Sequence, residues 1–231
     1  MKVERPPASL KVTVIDTEAK LKKFATELKK ADVISFDTET TSTEELEAQL
    51  VGISLAVTDG EGWYIPVGHN AGPNLPIDQV VDALRPAMTN PKIPKIGHNV
   101  KYDYLVLVRY GLKVSPLGFD SMIAEWITDP SSRNLGLKNL AYVRLEEEMT
   151  HIEALIGMKG KSQRTMAEVD VESASAYAAA DAEMCIRLRP ILYKDLDKVN
   201  GRKLLDEIEM PLVGVLAEME LIGIMLDVKF F

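Results

Sequence analysis

Short runs of alternating apolar and polar residues dominate the first half of the chain and predict β-strands. In such runs every second side chain faces the same side, which is the period of a half-buried strand. Two of the runs are separated by the turn sequence Asp59-Gly60-Glu61-Gly62, so we expect them to form a hairpin. The five predicted strands cover residues 10–15, 33–37, 51–57, 63–67 and 94–96.

Apolar residues spaced three and four positions apart predict helices between and after these strands. A first helix begins after Asp16 or Thr17, either of which can cap it, and the longest helix runs from Val171 to about Leu196. Further helices are predicted around 80–88, through 104–107, and near 122–127 and 137–145. Because strands cluster in the first half, we expect an α/β fold with a mixed five-stranded sheet flanked by helices.

Residues 201–231 have a different pattern. Gly201 follows the long helix, and a new apolar stripe then begins. The stripe comprises Ile208, Leu212, Val215, Leu216 and Met219. The sequence stops on the apolar run 228–231 without a turn signal, so we expect a truncated larger protein. One domain is predicted over residues 1–200, and a second module is predicted to start in residues 201–231.

Composition and charge narrow the class of protein. The 231 residues include 27 Lys and Arg against 35 Asp and Glu, a formal net charge of −8. An acidic chain does not hold nucleic acid by net charge, so such binding would need a local basic patch, bound cations or a tethered partner. The first residues do not have the pattern of a secretory signal, and we expect no membrane span because no apolar run is long enough. The lone Cys185 excludes an internal disulfide and fits a cytoplasmic protein.

Two segments place pairs of polar side chains on one face of a predicted element. Asp37 and Glu39 are two residues apart at the end of a strand, so both carboxylates leave from the same face. Asp103 lies four residues after Asn99, and on a helix this spacing brings the two side chains together. Taken singly, each position has a plainer explanation: a strand-end acid is commonly a surface or capping residue, and Asn99 can simply cap its helix.

A third pair, Tyr177 and Asp181, lies in the long helix with three alanines between its members. The small alanine side chains would let another element approach this face closely. A tyrosine on such a helix is more often a core residue than a functional one. The pair gains significance only if its segment meets the other two.

Convergence of the four acids would require a counter-charge. Two carboxylates about 5 Å apart repel by roughly 3 kcal/mol at an effective dielectric of 20. The stability of a whole domain is only about 5–15 kcal/mol, so a divalent cation is the expected remedy. Oxygen ligands without histidine or cysteine favour Mg²⁺ or Mn²⁺ over zinc.

The order and flanks of these segments resemble the 3′→5′ proofreading exonuclease domain of bacterial DNA polymerase I, in the tyrosine branch of the DEDD exonucleases. The three motifs are Phe36-Asp37-Thr38-Glu39-Thr40, Gly97-His98-Asn99-Val100-Lys101-Tyr102-Asp103 and Tyr177-Ala178-Ala179-Ala180-Asp181. The resemblance extends over nearly the whole chain, through residues 51–54, 64–67, 119–122, 160–163 and 208–213. The last of these resembles the entry into a polymerase module.

The resemblance implies an RNase H-like fold and phosphodiester hydrolysis with two divalent cations, Mg²⁺ or Mn²⁺. It implies that Asp37, Glu39 and Asp181 hold the first cation. Asp37 would bridge to a second cation, whose site Asp103 completes, largely through water. Tyr177 would orient the nucleophilic water, because a neutral tyrosine with a pKa of about 10 is a poor base near neutral pH.

The resemblance also assigns substrate contacts, and here the chain departs from the family. A leucine and a phenylalanine of the family wedge against the terminal bases. Their positions are Thr43 and, depending on a gap, Ile152 or Glu153. Altered substrate affinity with intact chemistry is therefore expected. The predicted substrate-binding residues are Thr40, Thr43, Asn99, Tyr102, Lys161 and Arg164.

The last two of these residues belong to a basic loop with Lys159. A solvated surface loop and a contact with substrate phosphates are equally consistent with its sequence.

The function implied is a metal-dependent 3′→5′ exonuclease module of a family A DNA polymerase. It would act on single-stranded or frayed DNA 3′ ends and release nucleoside 5′-monophosphates. We expect a monomer, linked covalently to the polymerase module and located in the cytoplasm with the nucleoid. Two rivals are a weakly catalytic scaffold with an exonuclease fold and an RNA 3′ exonuclease resembling RNase D. Retention of all four acids argues against the scaffold, and the polymerase-like C-terminal segment argues against the RNA exonuclease.

Overall fold

A six-stranded mixed sheet forms the centre of the computed structural model, which describes residues 10–160, 162–227 and 229–230. The strands are β1 (Lys11–Val14), β2 (Ile34–Thr40), β3 (Leu50–Thr58), β4 (Glu61–Pro66), β5 (Lys95–Gly97) and β6 (Leu117–Asp120). Their order across the sheet is β1-β4-β3-β2-β5-β6. β3 runs antiparallel to both its neighbours, and the other pairs are parallel. The predicted hairpin is thereby confirmed as β3–β4.

Helices flank the sheet and include every predicted helical segment. They are α1 (Glu18–Leu28), α2 (Ile77–Met88), α3 (Val100–Arg109), α4 (Ser121–Thr128), α5 (Leu137–Leu145), α6 (Glu153–Ile156), α7 (Val171–Lys198), α8 (Arg202–Leu204) and α9 (Met210–Ile222). A 3₁₀ turn, Met166–Glu168, precedes α7, and a π-helical turn, Leu205–Glu209, joins α8 to α9. Thr17 is the residue that caps α1, with its hydroxyl accepting from the Lys20 amide at 3.4 Å.

The prediction of five strands is wrong by one, because it omitted β6. This strand has only four residues, so alternation has too little length to show, and one of the four is Gly118. A Cβ at Gly118 would lie 2.8 Å from Cβ of Pro94. The glycine thus permits a close approach to the chain entering β5, with which β6 pairs in parallel. Pairing with β5 therefore makes this short segment a strand.

Helix α7 crosses the sheet at very short range, as its alanines predicted. Ala178, Ala179 and Ala182 are fully buried. A Cβ added to Gly62 in β4 would lie only 2.8 Å from Cβ of Ala179. Two small residues therefore allow the helix backbone to contact the strand. This packing fixes α7 against the sheet, with Asp181 buried and Tyr177 partly buried at the edge of the contact.

The segment after Gly201 packs against the other elements through one side of α9. Met210, Val213 and Ala217 are buried against α3 and β6. Lys101 pairs with Glu220 across this contact. The predicted apolar stripe from Ile208 to Met219 is instead exposed, so the periodicity placed the helix correctly but not its buried face.

Several sequence expectations fall on residues outside the described ranges: the N-terminal segment 1–9, Lys161, Val228 and Phe231. In the part of the chain that is described, no helix combines the length and apolar character of a membrane span. The domain boundary near residue 200 stays a prediction.

Candidate active site

One cavity of about 830 Å³ collects the predicted site residues. Those lining it are Asp37, Glu39, Thr40, Thr43, Asn99, Tyr102, Asp103, Arg164, Tyr177 and Asp181. Lys161, which was also predicted, lies outside the described residues. Residues from three distant segments therefore line one cavity, as the family resemblance implied.

The C-terminal half of β2 supplies the first two carboxylates. Asp37 pairs with Ser54 and Glu39 with Gly52 in the register with β3. Both carboxylates lie on the same face because side chains alternate along a strand. Glu39 is buried, and the Ser54 hydroxyl lies 3.5 Å from Oδ2 of Asp37. Asp37 therefore has little hydrogen-bonding compensation for its position.

Asp103 lies in the first turn of α3, and hydrogen bonds from β2 hold its carboxylate in place. Its Oδ1 accepts from the Thr38 amide at 2.8 Å and from the Thr38 hydroxyl at 2.6 Å. Burial raises the pKa of Asp103 to about 7, although these two hydrogen bonds favour the charged form. Thr38 lies between the two β2 acids, so it aligns α3 with the strand that carries them.

Asn99 occupies the cap position of α3 but its side chain makes no capping hydrogen bond. The backbone of Asn99 is left-handed, with φ of 56°. Asp120 caps the helix instead, its carboxylate accepting from the amides of Asn99 at 3.0 Å and Val100 at 2.8 Å. The plain explanation of Asn99 as a side-chain cap is wrong, and the residue lines the cavity.

Tyr177 and Asp181 lie on α7 next to a lysine that sequence reasoning missed. Lys138 forms an ion pair with Oδ1 of Asp181. The same ammonium lies 4.2 Å from the centroid of the Tyr177 ring. The Tyr177 hydroxyl also donates to the Asp181 carboxylate, which favours the charged form of Asp181. A lysine in the first turn of a predicted helix looks like an ordinary surface residue, so no local signal marked it.

Burial and mutual repulsion dominate the electrostatics of the four carboxylates. Burial is the largest cause that raises the pKa of Asp37, and the neighbouring Asp103, Glu39 and Asp181 raise it further. The pKa of Glu39 is raised in the same way, by burial and then by Asp181. Lys138 opposes the shift for both residues. The four carboxylates thus disfavour one another's ionised forms, and a bound cation would offset this repulsion.

The donor set suits a hard divalent cation, although its present arrangement is not that of a formed metal centre. Within the described ranges, no group of three or more His, Cys, Asp or Glu side chains is placed to hold a metal ion. Two of the four acids are engaged otherwise, Asp103 by Thr38 and Asp181 by Lys138. Three of the four carboxylates are buried, and oxygen donors of this kind fit Mg²⁺ or Mn²⁺.

Without a divalent cation, we expect the free energy of unfolding to fall as pH rises from about 4, near the ordinary carboxyl pKa, to about 7, the folded pKa of Asp103. A carboxyl whose pKa is raised in the folded state keeps its proton to a higher pH there than in the unfolded chain. Its contribution is therefore lost as pH rises through the folded pKa, which for Asp103 is about 7. Urea titrations in EDTA at a series of pH values would measure the slope of the free energy of unfolding against pH. Asp103→Asn should make this slope smaller. An identical slope in the variant would contradict the prediction.

Different elements form the two walls beside the carboxylates. On one side the Tyr102 hydroxyl lies 2.5 Å from the Thr40 hydroxyl and 2.6 Å from the Ser42 carbonyl. These contacts connect the end of β2 and the segment after it to α3. On the other side Ile152 lines the cavity, whereas Glu153 does not. Arg164 also lines it, with Nη2 donating to the Leu155 carbonyl at 2.6 Å. Of the two positions left open by the sequence, Ile152 is therefore the one placed to contact a molecule in the cavity.

Comparisons with known proteins point to one family. The model of the 3′-5′ exonuclease family of DNA polymerase A proteins matches residues 12–197. DNA polymerase I of Chloroflexus aurantiacus is 42% identical over 230 residues, which cover 98% of this chain and 24% of that protein. The chain spans about a quarter of the length of the curated relatives it matches.

Solved structures share the fold at low identity. Brucella melitensis NrnC with bound Mg²⁺ has a TM-score of 0.69 at 20% identity, over 93% of this chain and 94% of that one. Escherichia coli RNase D, an exoribonuclease, has a TM-score of 0.70 at 17% identity, over 90% of this chain and 51% of that one. These likenesses show an RNase H-like exonuclease fold. The family match and the curated relative show that the chain belongs to the 3′-5′ exonuclease family and corresponds to the exonuclease part of DNA polymerase I.

Proposed function

We propose that this chain removes nucleotides from DNA 3′ ends by metal-dependent hydrolysis, as the proofreading module of a family A DNA polymerase. The observation that carries the proposal is the meeting of Asp37, Glu39, Asp103 and Asp181 with Tyr177 around one cavity. Membership of the 3′-5′ exonuclease family supports the same reaction and its direction. The leaving group would be the 3′-oxygen of the penultimate nucleotide, and the product a nucleoside 5′-monophosphate.

The four carboxylates are the proposed ligands of two divalent cations. Asp37, Glu39 and Asp181 would hold one, and Asp37 and Asp103 would hold the other. Bound in this way, the cations would activate water and stabilise negative charge on the reacting phosphate. The donor chemistry supports Mg²⁺ or Mn²⁺, and NrnC, which shares the fold, has been solved with bound Mg²⁺.

Tyr177 is proposed to orient the attacking water rather than to deprotonate it. Burial, followed by the nearby Asp181 carboxylate, raises the pKa of Tyr177 above its ordinary value. The hydroxyl is therefore protonated near neutral pH and can donate or accept a hydrogen bond without becoming a strong base. Its position beside Asp181 supports this role, because a water held there would face the carboxylate cluster.

The cavity walls support a single-stranded 3′ end as substrate. Thr40, Asn99 and Tyr102 would contact the terminal nucleotide on the β2 and α3 side. Thr43 stands where the family has an apolar wedge, so we propose that Ile152 and its neighbour Ile156 supply most of the apolar contact. Arg164 would pair with a phosphate, and we assign Lys161 the same role from its sequence position. The terminal base would therefore be bound weakly, because the larger wedge side chains of the family are absent from these positions.

Tethering explains how an acidic module handles DNA. We propose that residues 201–231 begin a covalently linked polymerase module, which would present the 3′ end at an effective concentration on the order of mM. A mismatched end costs less to unpair, so frayed termini would be favoured substrates. The monomeric state and the cytoplasmic, nucleoid-associated location stay predictions.

Digestion of a 5′-labelled single-stranded DNA oligonucleotide tests the proposed function. With Mg²⁺ or Mn²⁺ we expect a ladder of products shortened one nucleotide at a time from the 3′ end. Excess EDTA should abolish release, because the cations supply several kcal/mol of transition-state stabilisation. No shortening with either cation would favour the scaffold, and faster digestion of the matching RNA would favour an RNase D-like enzyme.

A further inference from the structure

Lys138 places a positive charge directly against the proposed metal ligands. Its ammonium pairs with Asp181 and lies 4.2 Å from the Tyr177 ring centroid. Only 15% of the lysine side chain and 10% of the Asp181 side chain are exposed. Such a pair is shielded from solvent and from salt, unlike the many surface pairs of this chain. The contact is thus part of the site and not a passing surface interaction.

Packing of α5 directs Lys138 into this position. Leu137, Leu140 and Ala141 of the same helix are buried in the core, and α5 packs against α7. These buried residues therefore fix α5 in a position beside Tyr177 and Asp181. The lysine stem is long and flexible, however, so its ammonium can move by several ångströms while the helix stays in place.

The charge of Lys138 acts on more than one acid. It favours the ionised form of Asp37 and Glu39 as well as that of Asp181. These three residues are the proposed ligands of one cation. A carboxylate oxygen that is bonded to an ammonium is less available to a metal, and a nearby positive charge also repels a metal ion.

We propose that Lys138 is a positioning residue that stands in for the metal: its ammonium holds the carboxylate cluster together before a divalent cation binds, and it must leave Asp181 when the cation enters. This inference rests on the proposed function. It adds that metal binding is an exchange of cations at Asp181, so Lys138 lowers the apparent metal affinity while stabilising the metal-free fold. After the exchange the ammonium would remain over the Tyr177 ring, where a cation–π contact retains it.

Mn²⁺ binding by Lys138→Met tests the exchange. Calorimetric titration with MnCl₂ alone should give a dissociation constant at least about tenfold lower than that of the unchanged protein, because a buried competing charge has been removed. In EDTA the variant should unfold at a lower temperature, since Asp181 loses its partner. In saturating Mn²⁺ this difference should shrink, because the metal then supplies the missing charge.

Two further variants separate exchange from general damage. Lys138→Arg retains the charge, so its Mn²⁺ affinity should stay close to that of the unchanged protein. Arg144→Met removes ion pairs of the same helix with Glu125 at 2.6 Å and Asp195 at 3.1 Å, away from the cavity. It should lower stability equally with and without Mn²⁺ and leave the affinity unchanged.

The outcomes distinguish this inference from the proposed function. If the unchanged protein binds Mn²⁺ but Lys138→Met binds it equally or more weakly, the exchange is overturned and the exonuclease proposal stands. If the unchanged protein binds no Mn²⁺, both the exchange and the metal-dependent function are overturned.

Discussion

Replacing Asp37 by asparagine is expected to lower nucleotide release by about a thousandfold or more while making the metal-free protein more stable. The variant loses the carboxylate proposed to contact both cations, and several kcal/mol of transition-state stabilisation correspond to about three powers of ten in rate. Burial and three neighbouring acids raise the pKa of Asp37, which means that its charged form destabilises the metal-free fold. The neutral asparagine removes this destabilisation. Oligonucleotide digestion in Mg²⁺ and thermal unfolding in EDTA at pH 8 measure the two effects.

Asp32→Asn is the matched control for this prediction. Asp32 is an exposed acid just before the same strand. Its replacement should change neither the rate of release nor the unfolding temperature. An Asp37→Asn protein that digests DNA normally would remove Asp37 from the proposed mechanism. One that is less stable than the unchanged protein in EDTA would show that the carboxylate stabilises the fold.

Replacing Gly52 by alanine is expected to destabilise the fold by about 3 kcal/mol or more, which for a chain of this size lowers the unfolding temperature by roughly 6–12 °C. A Cβ at Gly52 would lie 2.0 Å from the hydroxyl oxygen of Tyr64 and 2.2 Å from the ring carbon bearing it. Tyr64 is fully buried, and its hydroxyl bonds Nε2 of His69 at 2.7 Å, so it cannot move aside easily. Thermal unfolding measures the change.

The consequences of this substitution should reach the active site. Gly52 pairs with Glu39 across β2 and β3, so displacement of β3 would move a proposed metal ligand. Gly214→Ala is the matched control, because Gly214 has open space around it in helix α9. It should stabilise the protein by about 0.5–1 kcal/mol, since alanine is the better helix former. Equal stability of the Gly52 and Gly214 variants would contradict the packing argument.

Much of the site was predictable because its elements carry local patterns. Alternation placed Asp37 and Glu39 on one face of β2, and the alanines between Tyr177 and Asp181 indicated the close contact that α7 makes with Gly62. These inferences depend only on residues within a few positions of each other. Their convergence was implied by resemblance to a family, and the common cavity agrees with it.

What escaped prediction depends on partners distant in sequence. β6 is a strand because β5 lies beside it, and the buried side of α9 is set by α3 and β6. Asp120 caps a helix that begins 20 positions earlier in the chain. Side chains of these kinds look like loop, surface or core residues until their neighbours are known.

The amino-acid sequence alone determined five of the six strands, the main helices, which residues carry carboxylates and which family the chain resembles. Tertiary structure alone decided that Thr38 holds Asp103 across 65 positions and that Lys138 pairs with Asp181 across 43. The physical reason is range. Backbone periodicity is a property of neighbouring residues, whereas the pairing of a buried charge depends on which distant group packing brings within a few ångströms.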